Sequence, residues 1–213
     1  MRLPGPRRRP PYKLISLLLQ YPSEELLEQR SELAQAVAEL PASRPKDAVE
    51  RFFAHFESRP PLDLQQEYVK TFDLQKRSSL YLTFYTEGDT RKRGMALLRL
   101  KRIYSAVGLP IGGRELPDYL PAMLEFAELA PAGLGDHLLI ECRTGIELLR
   151  MHLQDVKSPY VHLLEAVSIG LPRLRLADLE AVKRLVKEGP PHEEVGLQPF
   201  APPEVMPAME ARR

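Results

Sequence analysis

The sequence is short of cysteine, of net charge and of long apolar runs, and each shortage excludes a class of protein. Cys142 is the only cysteine among 213 residues. The chain therefore has no internal disulfide and no cysteine pair at zinc-ligand spacing, as expected in a reducing compartment. The 30 basic and 29 acidic residues leave a formal net charge of +1, so no overall field attracts nucleic acid or an anionic membrane. Recognition through charge must be local.

The N-terminal region joins basic residues to an apolar stretch, but it lacks the features of an export signal. The apolar run from Leu14 to Leu19 is followed at once by Tyr21, Pro22 and two acidic residues, without a small-residue cleavage site. No stretch approaches the ~18 to 20 apolar residues that a membrane span needs. We therefore expect a cytoplasmic protein with no integral membrane span and no nucleic-acid partner.

Strand patterns are almost absent, whereas helical periodicity runs through most of the chain, so we predict an all-α fold. Ser23 is placed to cap a helix, Pro45 suits a first turn and Gly108 suits a helix end. The predicted helices are 12–20, 24–39, 45–58, 62–74, 90–107, one that begins behind Asp118, 136–155, 158–170 and 176–188.

The pattern favours a single helical domain over 1–188 with a connector in the middle. Its two halves are about 12–107 and 118–188, joined by a segment rich in Pro and Gly over 108–117. Residues 189–213 contain six prolines and show no periodicity, so we expect a disordered tail.

Two segments depart from the local pattern. In "GGRELPDYLPAMLEF" (112–126) two prolines and three acidic residues interrupt a helical spacing of apolar residues. Asp118 can cap a helix whose first turn tolerates Pro121, because the donor that proline lacks is unpaired there. One interpretation is a solvated turn with a helix cap at Asp118. The other is a binding loop with Glu115, Asp118 and Glu125 as carboxylates for a basic partner.

The second segment is "TEGDTRKRGMALL", where Arg91, Lys92 and Arg93 crowd a helix N-terminus that the macrodipole makes unfavourable for cations. Free backbone donors and arginines together suit a phosphate or a carboxylate. Alternatively, the arginines are simply exposed or paired with nearby acids. We expect this turn to pack near the Glu115–Asp118 connector.

An enzymatic metal site has little support in the sequence. His137 and Glu141 share a helix face, while His152 and His162 stand alone, and metal sites need converging ligands. We therefore predict no metal site and no catalytic residues. A helical metal-dependent enzyme remains the weaker alternative.

Three blocks carry a resemblance to a known family. They are "YVKTFDLQKRSSLYLTFYTEGDTRKRGMALLRLKRIYSAVGL", "ELPDYLPAMLEFAELAP" and, near the N-terminus, "YKLISLLLQYPSEEL". They resemble the NarJ family, the molybdenum cofactor assembly chaperones of respiratory nitrate reductase, also called its delta subunit. The resemblance is close over residues 68 to 131 and general elsewhere.

The resemblance implies a TorD-like helical bundle without catalytic activity. Such a chaperone binds the N-terminal segment of the cofactor-free catalytic (alpha) subunit of nitrate reductase and holds that subunit ready for cofactor insertion. It keeps no permanently bound cofactor, although transient contact with molybdenum bis-guanine dinucleotide fits the role. Alternatively, the client is a related molybdoenzyme. A direct carrier of a pterin dinucleotide, which would use the Arg91–Arg93 turn, is a weaker alternative.

The wider group has an acidic, proline-containing loop that ends in Asp-His, and the resemblance places it at Glu115, Pro117, Asp118 and Tyr119. Tyr119 replaces the histidine, so a histidine-type pH dependence should be absent. The predicted peptide-binding residues are Tyr68, Phe72, Asp73, Glu115, Pro117, Asp118, Tyr119, Leu120, Leu124 and Glu125. The predicted anion-binding or interface turn consists of Asp89, Arg91, Arg93 and Gly94.

Two of these assignments depend on whether the side chains are buried. Tyr68 and Phe72 lie four residues apart and are candidates for either core or groove. Asp118 is expected to be the residue whose loss most weakens client binding, because it would face both a basic peptide and an apolar groove.

Overall fold

The computed structural model describes residues 9–112 and 115–191, and helices make up most of this part of the chain. No strand occurs within these residues, which confirms the all-α prediction. The helices are α1 Tyr12–Leu18, α2 Glu24–Glu28, α3 Arg30–Glu39, α4 Arg44–Ser58, α5 Pro61–Tyr68, α6 Thr83–Glu87, α7 Arg91–Ala106, α8 Leu120–Leu129, α9 Leu134–Glu141, α10 Arg143–Asp155, α11 Val161–Gly170 and α12 Leu176–Glu188. The predicted tail lies outside the described residues, apart from Gly189 to Pro191.

Local capping chemistry accounts for several of the helix ends. The Ser23 hydroxyl accepts a hydrogen bond from the backbone N–H of Leu26 at 3.4 Å, as predicted for an N-cap. Pro45 lies in the first turn of α4, and Gly108 follows α7 with φ of +76°, the left-handed conformation that glycine adopts at helix ends.

Two predicted helices are each split into two in the structure. The segment 24–39 is interrupted at Gln29 (φ −85°, ψ 12°) and the segment 136–155 at Cys142 (φ −86°, ψ 11°). Both residues leave the α-helical region for the bridge region of backbone space. Neither position carries Gly or Pro, so the apolar spacing alone gave no sign of the break.

The predicted helix 62–74 changes type before it ends. After α5, residues Val69–Asp73 form a π-helical turn, and the Leu74 N–H donates to the Val69 carbonyl at 3.1 Å. A 3₁₀ turn, Lys76–Ser78, and the short helix α6 follow. The 3₁₀ turn and α6 were not predicted, because each is too short to show a periodic pattern.

A single cluster of buried side chains runs through the helices on both sides of the connector. The α4 helix packs on α11, and α1 packs on α8. Tyr12, Phe52, Leu124, Leu149 and Leu164 are almost wholly buried in this cluster, and each such side chain contributes about 1.5 to 3 kcal/mol. The predicted halves therefore share core residues, while the domain boundaries stay a prediction.

The end of the connector is tied to the segment that precedes α6. The Leu82 N–H donates to the Asp118 carbonyl at 3.0 Å, and the Leu120 N–H donates to the Leu80 carbonyl at 2.8 Å. From the other side α10 approaches closely, since a Cβ on Gly145 would lie 2.8 Å from the Leu82 carbonyl oxygen. These contacts hold the entry to α8 in one position.

The prediction that Asp118 caps α8 is wrong, because Tyr119 is the N-cap residue and no side chain caps this helix. Asp118 is completely buried. Its Oδ2 accepts from the Thr83 N–H at 3.2 Å and from the Thr83 hydroxyl at 2.5 Å. Arg93 Nη2 lies 3.7 Å from the same oxygen. This contact confirms, for Arg93, the prediction that the Arg91–Arg93 turn packs near the connector.

We predict that Asp118→Asn lowers the free energy of unfolding by about 2 to 4 kcal/mol, because the substitution removes the charge that faces Arg93 inside the protein. Urea unfolding at neutral pH measures the change. The control is Glu128→Gln on the exposed side of α8, expected within about 0.5 kcal/mol of the wild type. Equal effects of the two substitutions would contradict a structural role for the buried carboxylate.

Candidate functional site

An open groove of ≈ 770 Å³ lies where the π-helical turn, the segment before α6, the connector and the first turn of α7 meet. Its volume is in the range of sites that accommodate a ligand or a short peptide. The residues that line it are Tyr21, Tyr68, Phe72, Asp73, Gln75, Lys76, Ser79, Leu80, Tyr81, Phe84, Asp89, Arg93, Glu115 and Tyr119.

The floor of this groove is aromatic. The ring centroids of Tyr68 and Phe72 lie 4.8 Å apart, and those of Tyr81 and Tyr119 lie 5.4 Å apart. Tyr21 meets Tyr68 edge to face at 5.5 Å. The exposed parts of such rings offer an apolar peptide face contact at a small cost in side-chain entropy.

Tyr68 and Phe72 belong both to the core and to the groove. They are 6% and 9% exposed, respectively, and that small exposed area forms part of the floor. The two interpretations of the sequence are therefore compatible. A π-helical turn begins directly after Tyr68, and such turns occur frequently at functional sites.

The rim of the groove is acidic. Asp73, Asp89 and Glu115 are all exposed carboxylates there, against the cations Lys76 and Arg93. Arg93 is already engaged, since it lies beside the buried Asp118 and its guanidinium stands 5.9 Å from the Phe84 ring centroid. The field at the rim is therefore negative and suits a basic partner.

Two tyrosines give the groove hydroxyl groups that stay neutral. The Tyr81 hydroxyl donates to Glu115 Oε1 at 3.1 Å. Burial, followed by this hydrogen bond, raises the pKa of Tyr81 to about 12. Burial also raises the pKa of Tyr119. Both phenols are protonated near neutral pH, so only the carboxylates give the rim its negative charge.

The groove brings together seven of the residues predicted from the sequence. They come from three separate parts of the chain and from both predicted sets, the peptide-binding residues and the basic turn. These seven are Tyr68, Phe72, Asp73, Asp89, Arg93, Glu115 and Tyr119.

The remaining predicted residues lie elsewhere. Leu120 and Leu124 are completely buried in the core, and Pro117 is buried with its carbonyl accepting from the Tyr104 hydroxyl at 2.8 Å. Glu125 pairs with Lys13 and lines a different cavity. Arg91 and Gly94 are exposed on α7 outside the groove lining.

The expectation that Asp118 faces an open groove is wrong, since its side chain has no exposed surface. Its structural role is to fix the backbone position of the adjacent residue, Tyr119. Removal of its carboxylate would act on a bound peptide only through the position of Tyr119 and its neighbours.

Sequence reasoning missed Tyr21 and Phe84 as groove residues. Tyr21 is 45% exposed and follows α1, and Phe84 lies in the unpredicted α6. An exposed aromatic directly after an apolar helix was a weak signal for Tyr21. No local pattern showed that these two side chains would meet the connector.

The pair His137 and Glu141 makes a structural contact. Their side chains approach to 3.1 Å, and Arg99 donates to both oxygens of Glu141 at 2.8 and 2.9 Å. Within residues 9–112 and 115–191 no three His, Cys, Asp or Glu side chains gather as metal ligands would. The helices of these same residues also include none with the length and apolar character of a membrane span.

Comparison with known proteins identifies the family of the chain. The sequence profile described as nitrate reductase delta subunit matches residues 23–166. A Bacillus subtilis (strain 168) protein named as a probable nitrate reductase molybdenum cofactor assembly chaperone, NarJ, is 31% identical over 163 residues, which cover 76% of this chain and 89% of that protein.

Two further relatives match about the same part of this chain. The nitrate reductase molybdenum cofactor assembly chaperone NarJ of Escherichia coli (strain K12) is 33% identical over 157 residues, which cover 71% of this chain and 65% of that protein. The nitrate reductase-like protein NarX of Mycobacterium tuberculosis (strain H37Rv) is 35% identical over 156 residues, 73% of this chain but 23% of its own length.

The match to the profile includes every groove residue except Tyr21, and it agrees with the resemblance carried by the two central sequence blocks. The chain belongs to the nitrate reductase delta subunit family, the family of the NarJ chaperones.

Proposed function

We propose that this protein is an assembly chaperone of a nitrate reductase. It binds the N-terminal segment of the cofactor-free catalytic (alpha) subunit in the aromatic groove and holds that subunit competent for insertion of the molybdenum cofactor. It works in the cytoplasm and carries out no catalysis. The names of the B. subtilis and E. coli relatives support the client and the process.

The observation that carries the proposal is the combination of an aromatic floor with an acidic rim. A client segment that is helical and basic would lay its apolar face on Tyr68, Phe72 and Tyr119 and direct its cations to Asp73 and Glu115. The floor contributes contact area, and the rim selects charge and orientation. Neither feature requires a resident cofactor.

The first prediction of this proposal concerns the rim. Asp73→Asn combined with Glu115→Gln should weaken binding of a peptide that copies the client's N-terminal segment by roughly 5- to 30-fold, because two exposed ion pairs are lost at up to about 1 kcal/mol each. Calorimetric titration of the full chain measures the dissociation constant.

The matched control removes the same number of negative charges from α8, the helix that follows the connector. Glu125→Gln combined with Glu128→Gln alters α8 outside the groove, and it should leave the affinity within about twofold of the wild type. If both double variants weaken binding equally, the groove is not the site and only net charge matters.

The second prediction concerns pH. Peptide affinity should be flat between pH 6 and 8, because the groove lining contains no histidine and the pKa values of Tyr81 and Tyr119 are raised. Tyr119→His should make binding of a basic, histidine-free peptide weaken as the pH falls through ~6.5, because the protonated imidazole adds a cation to an acidic groove.

The control for this experiment is Tyr119→Phe, which keeps the ring without a titrating group. Its affinity should show the same flat profile as the wild type. A pH dependence in the wild type of the size seen with Tyr119→His would show that another group controls binding.

A further inference from the structure

A second cleft lies against the π-helical turn, next to the groove. Its volume is ≈ 400 Å³, and it is formed by the start of α5, the π-helical turn and the loop between α10 and α11. Lys70 and Thr71 line this cleft, whereas Phe72 and Asp73 of the same turn line the groove. Gln75 lines both, so the two cavities share a wall.

Three cations line the cleft without counter-ions of their own. Arg59, Lys70 and Lys157 form no ion pair with any residue that the structure describes. The lining also contains two carboxylates, Asp63 and Glu67, and Glu67 lies 2.6 Å from His55. Three cations against two carboxylates leave an excess of positive charge, which favours an anionic ligand.

A buried hydroxyl in the lining also lacks a partner. Ser158 is 6% exposed, and its Oγ has no hydrogen-bond partner among the described residues. A buried hydroxyl without a partner is destabilising. Because the Oγ atom itself has almost no accessible surface, a ligand oxygen would bond to it only after the Ser158 side chain rotates toward the cleft. This observation is independent of the three cations.

Lys157, one of the three cations of the cleft, has a backbone conformation that is unfavourable for a residue with a side chain. With φ of +55°, Lys157 is the one residue other than glycine with a positive φ within residues 9–112 and 115–191. It directly follows the end of α10, where the Ser158 N–H donates to the Leu153 carbonyl at 2.8 Å. Glycine is the usual residue at such a position, and strain of this kind occurs at functional sites.

The basic turn of α7 is less suitable for an anion. Arg93 is directed to Asp118 and Phe84, and that turn borders the acidic groove. We propose instead that the cleft between Lys70 and Lys157 binds a pyrophosphate group, free or within a nucleotide. The guanidinium of Arg59 and the two ammonium groups neutralise the anion and donate to its oxygens.

Titration of the full-length protein with inorganic pyrophosphate, by calorimetry at low ionic strength, tests the proposal. Wild type should bind one equivalent, more tightly than it binds inorganic phosphate, and added chloride should weaken the binding. Tighter binding of GDP than of pyrophosphate would identify a nucleotide source, whereas equal or weaker binding of GDP would identify the free anion. Absence of pyrophosphate binding would overturn the proposal.

Substitutions distinguish the cleft from other cationic surfaces. Lys70→Gln and Lys157→Gly should each weaken pyrophosphate binding at least about fivefold. Lys101→Gln, on the exposed surface of α7, is the matched control and should have no effect. Equal loss in the control, or loss only on substitution of Arg91 and Arg93, would place the anion elsewhere and contradict the proposal.

Lys157→Gly also separates binding from folding. Glycine relieves the positive φ, so the melting temperature should not fall, while pyrophosphate binding weakens. If Lys157 served only to end α10, the variant would bind pyrophosphate as the wild type does. The client peptide should bind Lys70→Gln within about twofold of the wild type, so failure of the anion site and failure of the proposed chaperone function are distinguishable.

Discussion

The buried carboxylate of Asp118 determines the position of everything that surrounds the groove. It accepts two hydrogen bonds from Thr83 at the start of α6 and lies beside Arg93 in the first turn of α7. Residues far apart in sequence are thereby fixed at one point, directly behind Tyr119. A charge in this position is costly to bury, and its partners offset that cost only while all of them stay in place.

This arrangement separates structural charge from recognition charge. Asp118 is buried beside Arg93, and this pair positions the aromatic floor. Glu115, three residues before Asp118, is exposed on the rim and accepts a hydrogen bond from the Tyr81 hydroxyl. One short connector therefore supplies both the anchor of the site and a carboxylate for a partner. The acidic residues that looked equivalent in the sequence have different environments and different roles.

The sequence predicted the helices from local signals, and the family resemblance predicted seven of the residues that line the groove. Helical periodicity, the cap Ser23 and the stop at Gly108 indicated the all-α fold, and the family blocks identified Tyr68, Asp73 and Glu115. The role of Asp118 could not be predicted, since an acidic residue before an apolar helix has the same local pattern as a cap. Its burial depends on Thr83, which lies in a helix too short to be recognised. The π-helical turn could not be distinguished from an α-helix in the sequence, because Val69–Asp73 continue the apolar spacing of α5. Local rules therefore located the helices, the family resemblance selected the candidate site residues, and tertiary contacts decided which of them are exposed.

The central claim is that the client's N-terminal segment lies in the aromatic groove. Hydrogen–deuterium exchange of the full chain, with and without a peptide that copies this segment, tests it most directly. We expect slower exchange in the π-helical turn, in residues 79–81 and in residues 115–119 on peptide binding, with little change in α3 and α12. Protection confined to α3 or α12, with the groove segments unchanged, would contradict the claim.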